Sequence, residues 1–137
     1  MAKIRHIAYR SDNIDEMADF FVNGFGMELV QRRGNGAVDL SDGSVNITLL
    51  PMRLPRADGR PTKPGIEHIG FTTTDEDEAK RRIEAAGAQV IGRRELGSSV
   101  HYELKYHGPQ DIEVDLGHWA GTEPVPEETR APATASG

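Results

Sequence analysis

The segment Ile4-Arg5-His6-Ile7-Ala8-Tyr9 returns 62 residues later as Ile66-Glu67-His68-Ile69-Gly70-Phe71. This internal repeat restricts the fold more than any other feature of the chain. In each copy a histidine stands among alternating polar and apolar residues, the pattern of a short strand. A helix follows each copy. Asn13 and Glu16 have capping-box spacing, and Ile14, Met17, Ala18 and Phe21 fall on one face of a helix predicted over 14–23, with Gly24 placed to close it. Asp75 and Glu78 repeat the acidic start of a helix over 76–86, with Ala79, Ile83 and Ala86 as its stripe and Gly87 as its stop. The correspondence continues from 27–33 to 88–94, and from Asp42-Gly43 to His107-Gly108 at an offset of 65.

Each copy therefore reads as strand, helix and three strands. The predicted strands are 4–10, 27–33, 37–41 and 45–50, then 66–72, 88–94, 99–107 and 111–116, with turn signals at Gly34-Asn35-Gly36 and Asp42-Gly43. One βαβββ unit cannot bury its sheet face alone, so the two must share a core in an α+β fold. Residues 1–120 then form a single domain, with module one at 1–51, a proline-rich linker at 52–65 and module two at 66–120. The tail 121–137 has almost nothing to bury and is expected to be disordered.

Composition narrows the class. The chain has 137 residues and no cysteine, which suits one domain without disulfides. It holds no apolar run of about 18 residues and no secretory h-region, so a cytoplasmic protein is expected. A net charge of −6 argues against nucleic-acid or membrane partners. The pairs Arg32-Arg33 and Arg93-Arg94 read as solvated charges on edge strands.

The chemistry points to the last strand, Asp111-Ile112-Glu113-Val114-Asp115-Leu116, whose strict alternation sets acids on one face. Glu113 can line a cavity there, and a desolvated carboxylate costs several kcal/mol unless a cation answers it. No lysine or arginine stands beside it on its own strand, so a bound metal is one economical answer. Two imidazoles and a carboxylate make a zinc set or a 2-His-1-carboxylate face. A lone strand histidine is ordinarily structural; two at equivalent repeat positions are the stronger signal. Asp115 reads as a solvated acid, and Arg5 and Glu67 as facing away from the histidines. Phe20, Phe21 and Phe25 read as core or module-contact residues, Trp119 as packing over the barrel end, and His101, His107 and His118 as surface residues.

These pieces resemble the vicinal oxygen chelate superfamily, which includes glyoxalase I, methylmalonyl-CoA epimerase, type I extradiol dioxygenases and the bleomycin and fosfomycin resistance proteins. The resemblance is carried by the two histidine strands, by Asp-Phe-Phe-Val-Asn-Gly-Phe-Gly-Met-Glu-Leu-Val at 19–30 and by Gly-Pro-Gln-Asp-Ile-Glu-Val-Asp-Leu at 108–116. It covers roughly residues 3–118. It implies a cupped, mixed eight-stranded sheet and a divalent ion (Fe, Mn, Zn, Ni or Co) held by His6, His68 and Glu113. The fourth family position, a glutamate in glyoxalase I and usually a glutamine in epimerases, falls on Thr48 by the 65-residue offset. Thr48, His101 and Tyr102 are the candidate substrate-pocket residues; no catalytic base is assigned. The resemblance implies a metal-dependent lyase, isomerase or epimerase, or a ring-cleaving dioxygenase, acting on a small oxygenated metabolite as a homodimer. The alternative is a metal-free ligand-binding protein of the bleomycin-resistance type, and the measured metal content separates the two.

Overall fold

The computed structural model describes residues 2–95 and 102–123. The elements are β1 (Lys3–Ser11), α1 (Ile14–Phe25), β2 (Glu28–Arg32), β3 (Val38–Ser41), β4 (Asn46–Pro51), β5 (Gly65–Thr72), α2 (Glu76–Ala85), β6 (Gln89–Glu95), β7 (Tyr102–His107) and β8 (Glu113–Gly117). A one-turn 3-10 helix, Pro109–Asp111, precedes β8. The predicted segment 96–101 and the tail from 124 lie outside the described residues.

One eight-stranded mixed sheet holds both modules, in the order β2-β3-β4-β1-β5-β8-β7-β6. The first strand of each module pairs in parallel with the fourth, β1 with β4 and β5 with β8. The two modules join by antiparallel pairing of β1 and β5, where Ile7 faces Ile69. Those two residues are repeat equivalents, so the local two-fold passes between them. His6 then faces Gly70 while Ala8 faces His68, which brings both histidines to the seam.

Alternation decides which face each side chain takes. One face of the sheet packs against the helices. Val38, Leu40 and Leu49 form a buried cluster with Ala18, supported by Ile14, Met17 and Phe21 of α1. Leu104, Tyr106 and Leu116 do the same beneath Ala79 and Ile83 of α2. The other face carries His6, Asp39, Asn46, Thr48, His68, Glu103, Lys105, Glu113 and Asp115, all buried. The protein has thus put its apolar set under the helices and its polar set into the curl of the sheet.

Both helices start as their sequences indicate: Asn13 Oδ1 accepts from the Glu16 amide, and Asp75 Oδ1 from the Glu78 amide. α1 runs past Gly24, however, and ends on Gly26 in the left-handed conformation, φ 71°. There the Gly26 amide reaches back to Val22, a bond pattern that closes a helix. Of the three phenylalanines read as core, Phe21 packs inward while Phe20 and Phe25 are 57% and 70% exposed. The helical stripe admits only one of them.

The register corrects one correspondence. His68 stands beside Glu113, and His6 beside Asn46. The module-one counterpart of Glu113 is therefore Asn46, and Thr48 is the counterpart of Asp115. Part of the cause is a longer turn before β8. Asp42 closes its turn onto Val45, whereas Gly108 closes onto Ile112, with Gln110 and Asp111 at positive φ.

Candidate functional site

The curl of the sheet and the linker together enclose a cavity of about 210 Å³. His6, Thr48, Glu67, His68, Lys105 and Glu113 form its polar wall, and Leu54, Pro55 and Ala57 of the linker cover one end.

Glu67 reaches this wall through a slip in the pairing of β5. Ala8 faces His68 while Tyr9 faces Ile66, so Glu67 is an extra residue and turns inward instead of alternating away. It meets the Arg10 guanidinium, Nε to Oε1 at 2.6 Å and Nη2 to Oε2 at 3.3 Å. Both side chains are nearly excluded from solvent. Arg10 also donates to the carbonyls of Pro51 and Leu54, each at 2.6 Å, which pins the start of the linker to the seam.

The state of His6 follows from its neighbours. Its Nδ1 lies 2.6 Å from Asn46 Oδ1. Asn46 Nδ2 faces two acceptors, Asp39 Oδ1 and the Ala120 carbonyl, each at 3.1 Å. Those acceptors fix the amide orientation, so its oxygen accepts from the His6 Nδ1–H and leaves the Nε2 lone pair directed at His68. Burial, with the charge of His68, pushes His6 down to about 3, so it is neutral. The Trp119 indole stacks on it at 4.6 Å and 2° between planes.

His68 is the opposite case. Burial lowers its pKa, but Glu113 and Glu67 more than reverse this and hold it at about 9. Its Nε2 is 3.2 Å from His6 Nε2 and 3.2 Å from Asp115 Oδ2. Its Nδ1 is 3.2 Å from Glu113 Oε2, a charge contact without hydrogen-bond direction.

Glu113 is answered by cations from outside its own strand. Lys105, from the adjacent β7, places Nζ 3.1 Å from Glu113 Oε2, 3.1 Å from Asp115 Oδ2 and 3.4 Å from Glu103 Oε1. Arg56 of the linker sets Nη2 3.2 Å from Glu113 Oε1. Asp115, read as a solvated acid, is buried among these groups. Burial pushes its pKa up to about 7 against the pull of His68 and Lys105. Arg33, read as a solvated edge charge, turns inward onto Asp39 with two bonds of 2.8 and 3.0 Å.

Of the residues singled out in the sequence, His6 and His68 meet, and Glu113 stands at the far ring nitrogen of His68. The donor atoms of His6, His68, Glu103 and Asp115 lie within 4.8 Å of one another, and those of Glu67, His68 and Glu113 do likewise. Thr48 is in the wall, with its hydroxyl 2.6 Å from Asp39 Oδ1. His101 lies outside the described residues, as does the side chain of Tyr102. Sequence reasoning missed Asn46, Asp39, Glu103 and Lys105. The signal for the last two was the alternation Glu103-Leu104-Lys105-Tyr106, which sets a carboxylate and an ammonium on the inner face.

The donor set suits a divalent ion that displaces the Nε2 proton of His68: a neutral imidazole, a second imidazole nitrogen beside it, and carboxylates in reach. Asp115 Oδ1, buried and without a hydrogen-bond partner, is a further acceptor left over.

A duplicated module with one histidine from each copy converging beside carboxylates defines a class of paired-module proteins with a candidate metal centre at the seam. The sequence matches the family model of the Glyoxalase/Bleomycin resistance protein/Dioxygenase superfamily over residues 3–112, and the chain belongs to that superfamily. Solved structures agree in fold. Methylmalonyl-CoA epimerase of Streptomyces coelicolor is 23% identical, with 86% of this chain and 97% of that one covered and a TM-score of 0.68. The 2,3-dioxygenase LapB of Pseudomonas sp. KL28 is 17% identical over 97% of this chain and 46% of its own, with a TM-score of 0.66. A Mn(II)-bound glyoxalase of Novosphingobium aromaticivorans is 21% identical over 84% and 37%, with a TM-score of 0.61. A search of curated protein sequences finds no match. No helix among the described residues is long and apolar enough to cross a membrane.

Proposed function

We propose that the protein is a divalent-metal-dependent enzyme acting on a small oxygenated metabolite through two neighbouring oxygens. The observation that carries this is the meeting of His6 Nε2 and His68 Nε2 at 3.2 Å, with the His6 lone pair oriented by Asn46. His6 and His68 would hold the ion through their Nε2 atoms, with Asp115 and Glu103 as the carboxylates in reach; Glu113, the carboxylate expected from the sequence, lies on the Nδ1 side of His68 instead. Such an ion supplies Lewis acidity at chelated oxygens. The chain's own residues do the rest: Trp119 covers one face of His6, Glu103 is held by the Trp119 indole N–H at 3.2 Å, and the linker shields one end of the cavity from water.

Within the class, the position equivalent to Asp115 in module one is Thr48, so the reaction stays at the level of a lyase, an isomerase or epimerase, or a dioxygenase. Homodimeric assembly and a cytoplasmic location belong to the same proposal.

A metal-free ligand-binding protein is the second reading, and Lys105 is the observation that favours it, because its ammonium already neutralises the carboxylates. Elemental analysis of protein purified without a histidine tag decides between them. Near-stoichiometric Mn, Fe, Co, Ni or Zn is expected, with Asp115→Asn lowering affinity on the order of tenfold or more through loss of charge at constant volume. No metal, and no uptake on reconstitution, would leave the binding protein.

A further inference from the structure

Lys105 has a place in the sheet that the repeat makes informative. In module one, Asp39 of β3 faces Thr48 of β4; in module two, Lys105 of β7 faces Asp115 of β8. Asp39 and Lys105 are thus counterparts across the local two-fold, with opposite charge. Each does the same work in its own half. Asp39 accepts from Asn46 and Thr48 at 3.1 and 2.6 Å, and Lys105 donates to Glu113 and Asp115, each at 3.1 Å. A carboxylate ties down the polar pair in one half, and an ammonium ties down the acidic pair in the other.

Two of the acids that surround Lys105 are ones a divalent ion between the histidines would need. Glu103 and Asp115 share a donor cluster with both histidines, and Glu113 meets His68 from the other side. The lysine side chain is 3% exposed, so solvent does little to weaken its charge. Two of its three N–H donors bond Glu113 and Asp115, and the Glu103 carboxylate stands in ion-pair range at 3.4 Å.

We propose that Lys105 is a tethered cation that competes with divalent metal for Glu103 and Asp115, and so determines which cation the site accepts and how tightly. The inference concerns the same site as the proposed function, and it rests on that reading only for the identity of the donors. Metal can enter fully only when the ammonium gives up its carboxylates. An ion bound beside it would also feel a like charge at short range in a dry site, a repulsion that grows as the dielectric falls.

The test is titration of the full-length, untagged protein with Mn(II) alone and with Zn(II) alone, by calorimetry and by fluorescence of Trp119, the single tryptophan, which stacks on His6. Lys105→Gln is expected to bind at least tenfold more tightly than the unaltered protein, and Lys105→Arg, which keeps the charge, no more tightly. Equal or weaker binding by a folded Lys105→Gln overturns the inference. If that variant does not fold, acetylation of the unaltered protein by acetic anhydride gives the answer. Lys105 should be protected without metal and modified at least several-fold faster with saturating Zn(II), as read by peptide mass spectrometry; unchanged protection overturns the inference. The two proposals fail separately. Uptake by Lys105→Gln alone removes the metal-dependent enzyme and keeps the tethered cation, whereas tight binding by the unaltered protein with no gain in Lys105→Gln does the reverse. No uptake by either removes both.

Discussion

At the scale of single residues, this protein gathers charge on the concave side of its sheet and satisfies it with side chains from other strands. Arg10 shows how far this goes. It is 2% exposed, bonded to Glu67 and to the carbonyls of Pro51 and Leu54, and Glu67 has its remaining contacts at 3.8 Å, to Arg56 and His68. Burial tends to raise the pKa of Glu67, but His68 and Arg10 outweigh it and hold it at about 2, so the carboxylate is charged beside its partner. Replacing one member of a buried ion pair leaves the other uncompensated and costs about 3–5 kcal/mol. Arg10→Met is therefore expected to lose about that much in urea unfolding, read from the transition midpoint at constant slope. A loss below about 1 kcal/mol would mean that Glu67 finds other partners.

At the scale of elements, the close approach of β5 to the segment after β8 depends on Gly70. A Cβ there would fall on Asp115 Oδ1 and within 2.7 Å of Trp119 Cζ2 and Cη2. Its repeat equivalent is Ala8, so the strand conformation itself tolerates a side chain. The constraint comes from the indole packed above. Gly70→Ala should push Trp119 off the His6 ring and cost about 1–3 kcal/mol, the usual penalty for overpacking. A red shift and quenching change in tryptophan emission should accompany the loss of stability. An unaltered emission maximum would show that the strands separate instead and leave the stack in place.

At the scale of the whole molecule, the linker is a strap fastened at several points, with Asp58 as one hub. Its carboxylate takes Arg56 at 2.8 Å, Arg60 at 2.6 Å and His107 at 3.2 Å, and Arg56 continues to Glu113. The Arg56 hydrogen bond, ahead of the opposing effect of burial, holds Asp58 well below its usual value near 3.8. A carboxyl depressed by folding adds stability that is complete above its unfolded value and is lost as pH falls toward its folded one. Melting temperature should accordingly drop as pH is lowered below about 4, and Asp58→Asn should flatten that acid limb while leaving the slope between pH 6 and 8 unchanged. An acid limb identical in the variant would assign the loss to other carboxylates.

The repeat, the alternation and the caps determined a good part of this protein by themselves. They set two βαβββ modules, both helix starts and the meeting of His6 with His68, because periodicity and capping are local properties of the chain. Three things were decided only in the tertiary structure. The counterpart of Glu113 in module one turned on two residues gained over the offset of the turns by the start of β8, of which the longer turn supplies one, and a fixed offset cannot register them. The inward turn of Glu67 came from a slip in β-pairing. The cation beside Glu113 came from β7 and the linker, which are distant along the chain. A carboxylate's charge partner is set by distance in space, and only folding brings Lys105 and Arg56 to within 3.2 Å of it.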